Sequence, residues 1–140
     1  MAAYLQKIDI PALKKFADEC VENDGYSFKV GCEKTDYWQH EQGVAQYAVI
    51  QDNNVAGICV LKQCSEGIYI LEAGKRKESN CKFIPLLFKV IHDKFSCPLY
   101  FQAASPKLED YYVKIGSRRV EEKEAKRLTD LFDHIVTLVF

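Results

Sequence analysis

Apolar positions along the chain change their spacing several times, and each change marks an element. Over Ile10 to Glu22, Leu13, Phe16, Ala17 and Cys20 recur at helical spacing. Pro11 suits the opening turn of that helix, and Asn23-Asp24-Gly25 supplies a stop. Residues 27–41 show no clean period, and a short helix is predicted over Thr35 to Gln42. Three β-prone runs follow in quick succession: Ala45–Ile50, Val55–Leu61 and Ile68–Leu71. Turns at Gln51–Asn54 and Ser65–Gly67 separate them, so they read as an antiparallel meander. A polar stretch, Ala73 to Lys82, leads into an apolar helix over Phe83 to Phe95, with Phe83, Leu86, Leu87, Val90 and Ile91 on one face. Cys97 to Gln102 is the next strand. Ser105 then caps a short helix with Pro106 at its first position and Glu109 nearby, which runs to Lys114 and stops at Gly116. Residues 121–130 are charged and fit a loop or a helix, and His134 to Phe140 reads as a closing strand.

This order calls for an α/β fold: one mixed sheet with helices on its faces. The length of 140 residues suits a single domain spanning 1–140. Two strand-helix-strand passages, over 68–102 and 97–140, are the parts best suited to build a site. The formal net charge of −1 argues against nucleic acid as a general partner, since a generic polyanion binder is strongly basic. No apolar run approaches the ~18 residues of a membrane span. The segment MAAYLQKIDIPALKK lacks an uninterrupted apolar stretch, so no secretory signal is expected.

The 6 cysteines form no C-x-x-C and match no zinc spacing. Several sit in apolar segments such as GICVL and KFSCPLYF, where a thiol packs as a small hydrophobe. Reduced thiols and a cytoplasmic location are therefore expected. His40, His92 and His134 are far apart and form no local metal motif, so they read as surface or packing residues and no metal site is expected.

Two segments carry candidate chemistry. In the first, Lys75, Arg76, Lys77 and Ser79 lie between a strand and a helix start. A helix N-terminus offers unpaired N–H groups and partial positive charge, and nearby cations add to its attraction for phosphate. A solvated basic loop is the plain alternative. In the second, SPKLEDYYVKIG follows a strand directly. Tyr111 and Tyr112 fit aromatic packing. A tyrosine hydroxyl, with a pKa of about 10, could instead donate a proton at neutral pH.

These segments resemble the two motifs of the GNAT superfamily of acyl-CoA-dependent N-acetyltransferases. The first motif, [Q/R]-x-x-G-x-[G/A], is matched by Arg76-Lys77-Glu78-Ser79-Asn80-Cys81, with Ser79 and Cys81 at the two small positions. The second, N-x-x-A-x-x-x-Y-x-x-x-G-F, is matched by Ser105, Leu108, Tyr112, Gly116 and Ser117. The Tyr-to-Gly spacing is kept, whereas Asn, Ala and Phe have become Ser, Leu and Ser. The strand pair with Gly57 also looks like the family's second and third strands. Pro85 is awkward if the helix begins at Asn80, because it would remove an internal hydrogen bond. Either the helix starts later or the phosphate site is distorted.

The resemblance implies a mostly antiparallel sheet that splays between its fourth and fifth strands, near Ile68–Leu71 and Leu99–Gln102. A pantetheine arm would insert there and pair with backbone at Leu71, Glu72 and Ala73. The pyrophosphate of acetyl-CoA would rest on N–H groups of Lys77, Glu78, Ser79, Asn80, Cys81 and Lys82, assisted by the Arg76 and Lys77 side chains. Ser105 and Tyr112 would complete the cosubstrate contacts, and Tyr112 would protonate the leaving thiolate. Glu72 and Glu66 are candidate bases, and unbroken strand alternation would put both on one face. The acceptor amine would be held near Tyr37, Trp38 and His40. The main rival is a binding protein of this fold that has lost catalysis, favoured by Ser79, Cys81 and Pro85. A nucleic-acid role would rest on Lys75-Arg76-Lys77 and Arg118-Arg119. The apolar segment HIVTLVF either closes the sheet or pairs two copies as a homodimer.

Overall fold

The computed structural model describes residues 2–21 and 40–140. In chain order the elements are β1 (Ala3–Lys7), α1 (Ile10–Ala17), β2 (Val44–Gln51), β3 (Asn54–Cys64), β4 (Gly67–Lys75), α2 (Phe83–Phe95), β5 (Leu99–Phe101), α3 (Pro106–Lys114), β6 (Arg118–Arg119), α4 (Glu122–Phe132) and β7 (Leu138–Val139). The strands form one sheet in the order β1-β2-β3-β4-β5-β7-β6. Every neighbouring pair is antiparallel except β4 and β5. The expected α/β class and splayed mixed sheet are therefore present. Among the described residues no helix is long and apolar enough to cross a membrane.

Local chemistry explains most boundaries. Asp9 caps α1 by accepting from the Ala12 N–H at 2.9 Å, with Pro11 in the first turn. The helix stops at Ala17, short of the expected Glu22. Beyond it, the Glu19 and Cys20 amides reach back only three residues, to Phe16 and Ala17. Cys20 then forms a β-bridge with Arg76, so the end of β4 captures this turn before the helix can continue. Asn23-Asp24-Gly25, Tyr37 and Trp38 lie outside the described residues, as does most of the predicted helix over Thr35 to Gln42. Its last part, His40 to Gln42, forms a turn. α2 occupies the predicted span. It starts late enough that Pro85 falls in its first turn, where the missing N–H breaks no helical bond.

The sheet has two apolar faces. On one, Val49, Cys59, Leu61, Ile68, Leu99 and Phe101 pack against α2. The five buried residues of α2, Phe83, Leu87, Phe88, Val90 and Ile91, each gain about 1.5–3 kcal/mol by leaving water. α3 lies on the same face with no fully buried residue, held by half-buried Tyr112 and Val113. On the other face, α1 covers Ile58 and Val60, and α4 covers Tyr69 and Tyr100.

The positioning feature lies between β4 and β5. They pair only at Ile68↔Leu99 and Tyr69↔Tyr100. Past that point β5 turns toward β7: the Phe101 carbonyl accepts from the Thr137 N–H at 3.1 Å, and α3 begins at Pro106. β4 continues alongside β3 as far as Lys75. Among the described residues, the edge of β4 over residues 70–74 is thus left without a neighbouring strand, a length of roughly 16 Å at the usual rise. Phe132 of α4 sits at the root of the gap, with its ring 5.6 Å from Tyr69 and 5.5 Å from Tyr100.

Candidate functional site

A gap of this kind is a site because backbone N–H and C=O groups facing it need partners. An extended ligand bearing amides can add there as a strand. The register along β4 also carries a bulge. Leu61 pairs with Ile70 and Val60 with Glu72, which leaves Leu71 as the extra residue. Leu71, Glu72 and Ala73, the expected pantetheine contacts, therefore lie on the unpaired length.

The loop after β4 is more occupied than the sequence suggests. The Lys77 N–H donates to the Glu19 carbonyl at 2.8 Å, and the Ser79 N–H to the Arg76 carbonyl at 3.1 Å. The Cys81 N–H reaches Ser79 Oγ at 3.4 Å, and that oxygen lies 3.0 Å from Cys81 Sγ. Three of the expected phosphate-binding amides, those of Lys77, Ser79 and Cys81, thus already have partners. Arg76 Nε lies 3.3 Å from Glu19 Oε2, and Arg76 Nη2 lies 3.6 Å from Glu78 Oε2. The start of α2 differs. Its N-cap, Lys82, makes no capping bond, and its first turn holds no acid. The Phe83 and Ile84 amides at this helix start have no place in the helical ladder. Lys75, Lys77 and Lys82 precede or cap it in the chain, and none of them forms an ion pair among the described residues. A phosphate group fits this end of the site better than it fits the loop's own amides.

Gly57 sets the depth of that helix start. A Cβ there would lie 2.3 Å from the Phe83 ring and 2.4 Å from the Gly74 carbonyl oxygen. Only glycine lets the first residue of α2 rest on β3 and β4 this closely.

Tyr112 of α3 packs beside β5, its ring 4.9 Å from Phe101 and 6.1 Å from Phe88. Burial first, and then neighbouring Tyr111, raise its phenol above the usual value, so the hydroxyl keeps its proton at neutral pH. Ser105 uses its side chain to cap α3, accepting from the Leu108 N–H at 3.2 Å. Gly116, at φ 119°, ends α3 in a conformation that only glycine adopts without strain. Ser117 is buried, and its Oγ has no hydrogen-bond partner among the described residues.

The two candidate bases are separated. Glu66 lies in the β3–β4 turn, at the paired end of β4, and forms an ion pair with Arg127 of α4. Glu72 lies at the open end. The alternation expected to link them fails, because Glu66 is outside the strand and the bulge intervenes. Register places Glu72 with Val60, on the α1 face. Burial raises its carboxyl to about 7, and among the described residues it has no hydrogen-bonding or ionic partner. Tyr112 packs with the α2 face, so Tyr112 and Glu72 lie on opposite faces of the sheet.

A second polar group escaped the sequence reasoning. Buried Lys62 donates to Glu41 Oε1 at 3.0 Å and to the Phe132 carbonyl at 2.7 Å. His134 Nε2 lies 2.8 Å from the same carboxylate, and its ring stacks on Tyr69 at 5.4 Å. Against burial, which raises it, hydrogen bonds from His134 and Lys62 hold the Glu41 carboxyl below its usual range. Glu41 and His134 stand 93 positions apart, so no local signal joins them. Cys59, Cys64, Cys81 and Cys97 are free thiols.

The architecture matches solved N-acetyltransferases. An acetyltransferase from Thermus thermophilus superposes with a TM-score of 0.61 at 10% identity, covering 99% of this chain and 96% of that one. A putative GNAT-family acetyltransferase from Bacteroides thetaiotaomicron gives 0.60 at 15% identity, covering 96% and 84%. The ribosomal-protein-S18-alanine N-acetyltransferase from Escherichia coli gives 0.55 at 8% identity, covering 99% and 90%. At such identities the likeness establishes the fold. No protein-family profile matches the sequence, and no curated protein does.

Proposed function

We propose that the protein is an N-acyltransferase that carries an acetyl group from acetyl-CoA to a primary amine. The observation that carries this reading is the edge of β4, unpaired among the described residues, followed in the chain by three lysines and an uncapped helix start. Pantetheine, with two amides, is an extended ligand that can add to such an edge. Its pyrophosphate would meet the amides at the start of α2 together with Lys75, Lys77 and Lys82.

In the proposed reaction the amine nitrogen attacks the thioester carbon. The carbonyl oxygen becomes an oxyanion, held by a backbone N–H of the free β4 edge. Such a donor is worth about 3 kcal/mol in other enzymes. The C–S bond then breaks, the thiolate takes the Tyr112 proton, and the ammonium proton passes to Glu72. A carboxylate with a pKa of about 7 suits this duty, because a base works best when its pKa lies near the working pH. Glu66 is the weaker candidate, being held by Arg127 at the closed end. Much of the acceleration would come from holding amine and thioester side by side.

The occupied amides of Lys77, Ser79 and Cys81 favour a second reading, a protein of this fold that no longer binds acetyl-CoA. Calorimetry with acetyl-CoA separates the two. Saturable binding, followed by amine-dependent release of free thiol, supports the enzyme. No heat at millimolar ligand removes it.

A further inference from the structure

We infer that Glu19 is an internal occupant of the anion site, an autoinhibitory contact that incoming acyl-CoA must displace. This rests on the proposed function, with the Arg76 guanidinium of the preceding loop added to the groups that would meet the pyrophosphate at the start of α2. Two backbone hydrogen bonds pin the turn after α1 onto the loop. The Lys77 N–H donates to the Glu19 carbonyl at 2.8 Å and the Val21 N–H donates to the Lys75 carbonyl at 2.8 Å, which together make the bridge between Cys20 and Arg76. The Glu19 carboxylate then faces Arg76 at 3.3 Å. It thereby holds the guanidinium, the group best shaped to grip a phosphate with two parallel bonds. The same residue's carbonyl takes one of the loop amides. A carboxylate and a phosphate seek the same donors, so the two compete.

The contact is poorly made, which is what an exchangeable one requires. Glu19 Oε2 and Arg76 Nε are both shielded from water, yet neither has a hydrogen-bond partner among the described residues. They are close enough to attract and too badly aligned to bond. The second carboxylate on Arg76, that of Glu78, stands no closer than 3.6 Å. Mobility is unequal across these pairs. The Glu19 side chain is 40% exposed and that of Glu78 82%, so either can swing into solvent. Arg76 is 26% exposed, and its backbone is tied to β3 through the Ala56 carbonyl at 2.9 Å. A phosphate reaching the loop would find the guanidinium in place and its partners free to leave.

The test is calorimetry of coenzyme A with the full-length protein, wild type beside Glu19→Gln, Glu19→Ala, Arg76→Gln and the Glu19→Gln/Arg76→Gln pair. Far-UV circular dichroism and melting temperatures check folding. At low salt, Glu19→Gln and Glu19→Ala are expected to tighten the dissociation constant about fivefold, the scale of a partly exposed ion pair. The gain shrinks at high salt, as screening weakens the contact being removed. It disappears in the double variant, where no guanidinium remains to be freed. If wild type binds and the Glu19 variants bind equally or more weakly, Glu19 supports Arg76 rather than competing for it, and the inference falls while the site stands. If no variant binds coenzyme A, the site assignment itself falls and takes the inference with it.

Discussion

Glu72→Gln isolates the cost of keeping a carboxyl at the open end of β4. The wild-type group shifts from 4.5 to about 7 because burial disfavours its charged form. The folded protein therefore holds a proton that the unfolded chain releases above pH 4.5. That contribution to stability is fully present below pH 4.5, declines across pH 4.5–7, and is gone above 7. At 1.36 kcal/mol per pKa unit the loss is about 3 kcal/mol. Gln has nearly the shape and polarity of the protonated acid and does not titrate. Denaturant unfolding of both proteins at pH 5, 6, 7 and 8.5 should give curves less than about 1 kcal/mol apart at pH 5. At pH 8.5 the variant should be the more stable by about 3 kcal/mol, or about 10 °C in Tm for a chain this size. All other titrating groups are common to both proteins, so the difference reports Glu72 alone. Two parallel stability curves would refute the claim that a half-buried carboxyl without a partner among the described residues sits there.

Three further outcomes follow from the same geometry. With acetyl-CoA and a saturating amine, wild-type turnover should rise with pH through an apparent pKa near 7 as Glu72 loses its proton; a stopped thiol-release assay should show that step missing in Glu72→Gln. Tyr112→Phe should lower kcat with little change in coenzyme A affinity by calorimetry, and an unchanged kcat would remove Tyr112 from proton transfer. Gly57→Ala should push the Phe83 ring off the sheet, costing about 1–3 kcal/mol in denaturant unfolding and weakening coenzyme A binding. Full affinity in that variant would show that the seating of α2 does not shape the site.

The parts of this fold that were legible in the sequence are those governed by neighbours in the chain. α2 fills its predicted span because five apolar residues recur on one face. α3 starts and stops where Ser105, Pro106 and Gly116 place it. β1 escaped notice because only Leu5 of its five residues is buried, and its support comes from pairing with β2, some 40 positions away. β6 is two exposed arginines on a sheet edge, with no pattern to read. α4 buries only Leu128 and Phe132, so its charged sequence left loop and helix equally open. At the site, Tyr112 and the gap were accessible only through the family resemblance that the motifs and element order carry. The bulge at Leu71 was not, because it depends on the register against β3, and it undid the expected alignment of Glu66 with Glu72. The Glu19–Arg76 contact was equally hidden, since it joins the end of α1 to the end of β4 through folding alone.

A crystal structure with coenzyme A bound is the most direct test of the proposed site. The pantetheine arm should lie in the opening beyond Tyr69 and Tyr100, its amides paired with backbone between Ile70 and Gly74, with the pyrophosphate at the start of α2. Coenzyme A seated elsewhere, or β5 zipped along β4 past those two tyrosines, would contradict it.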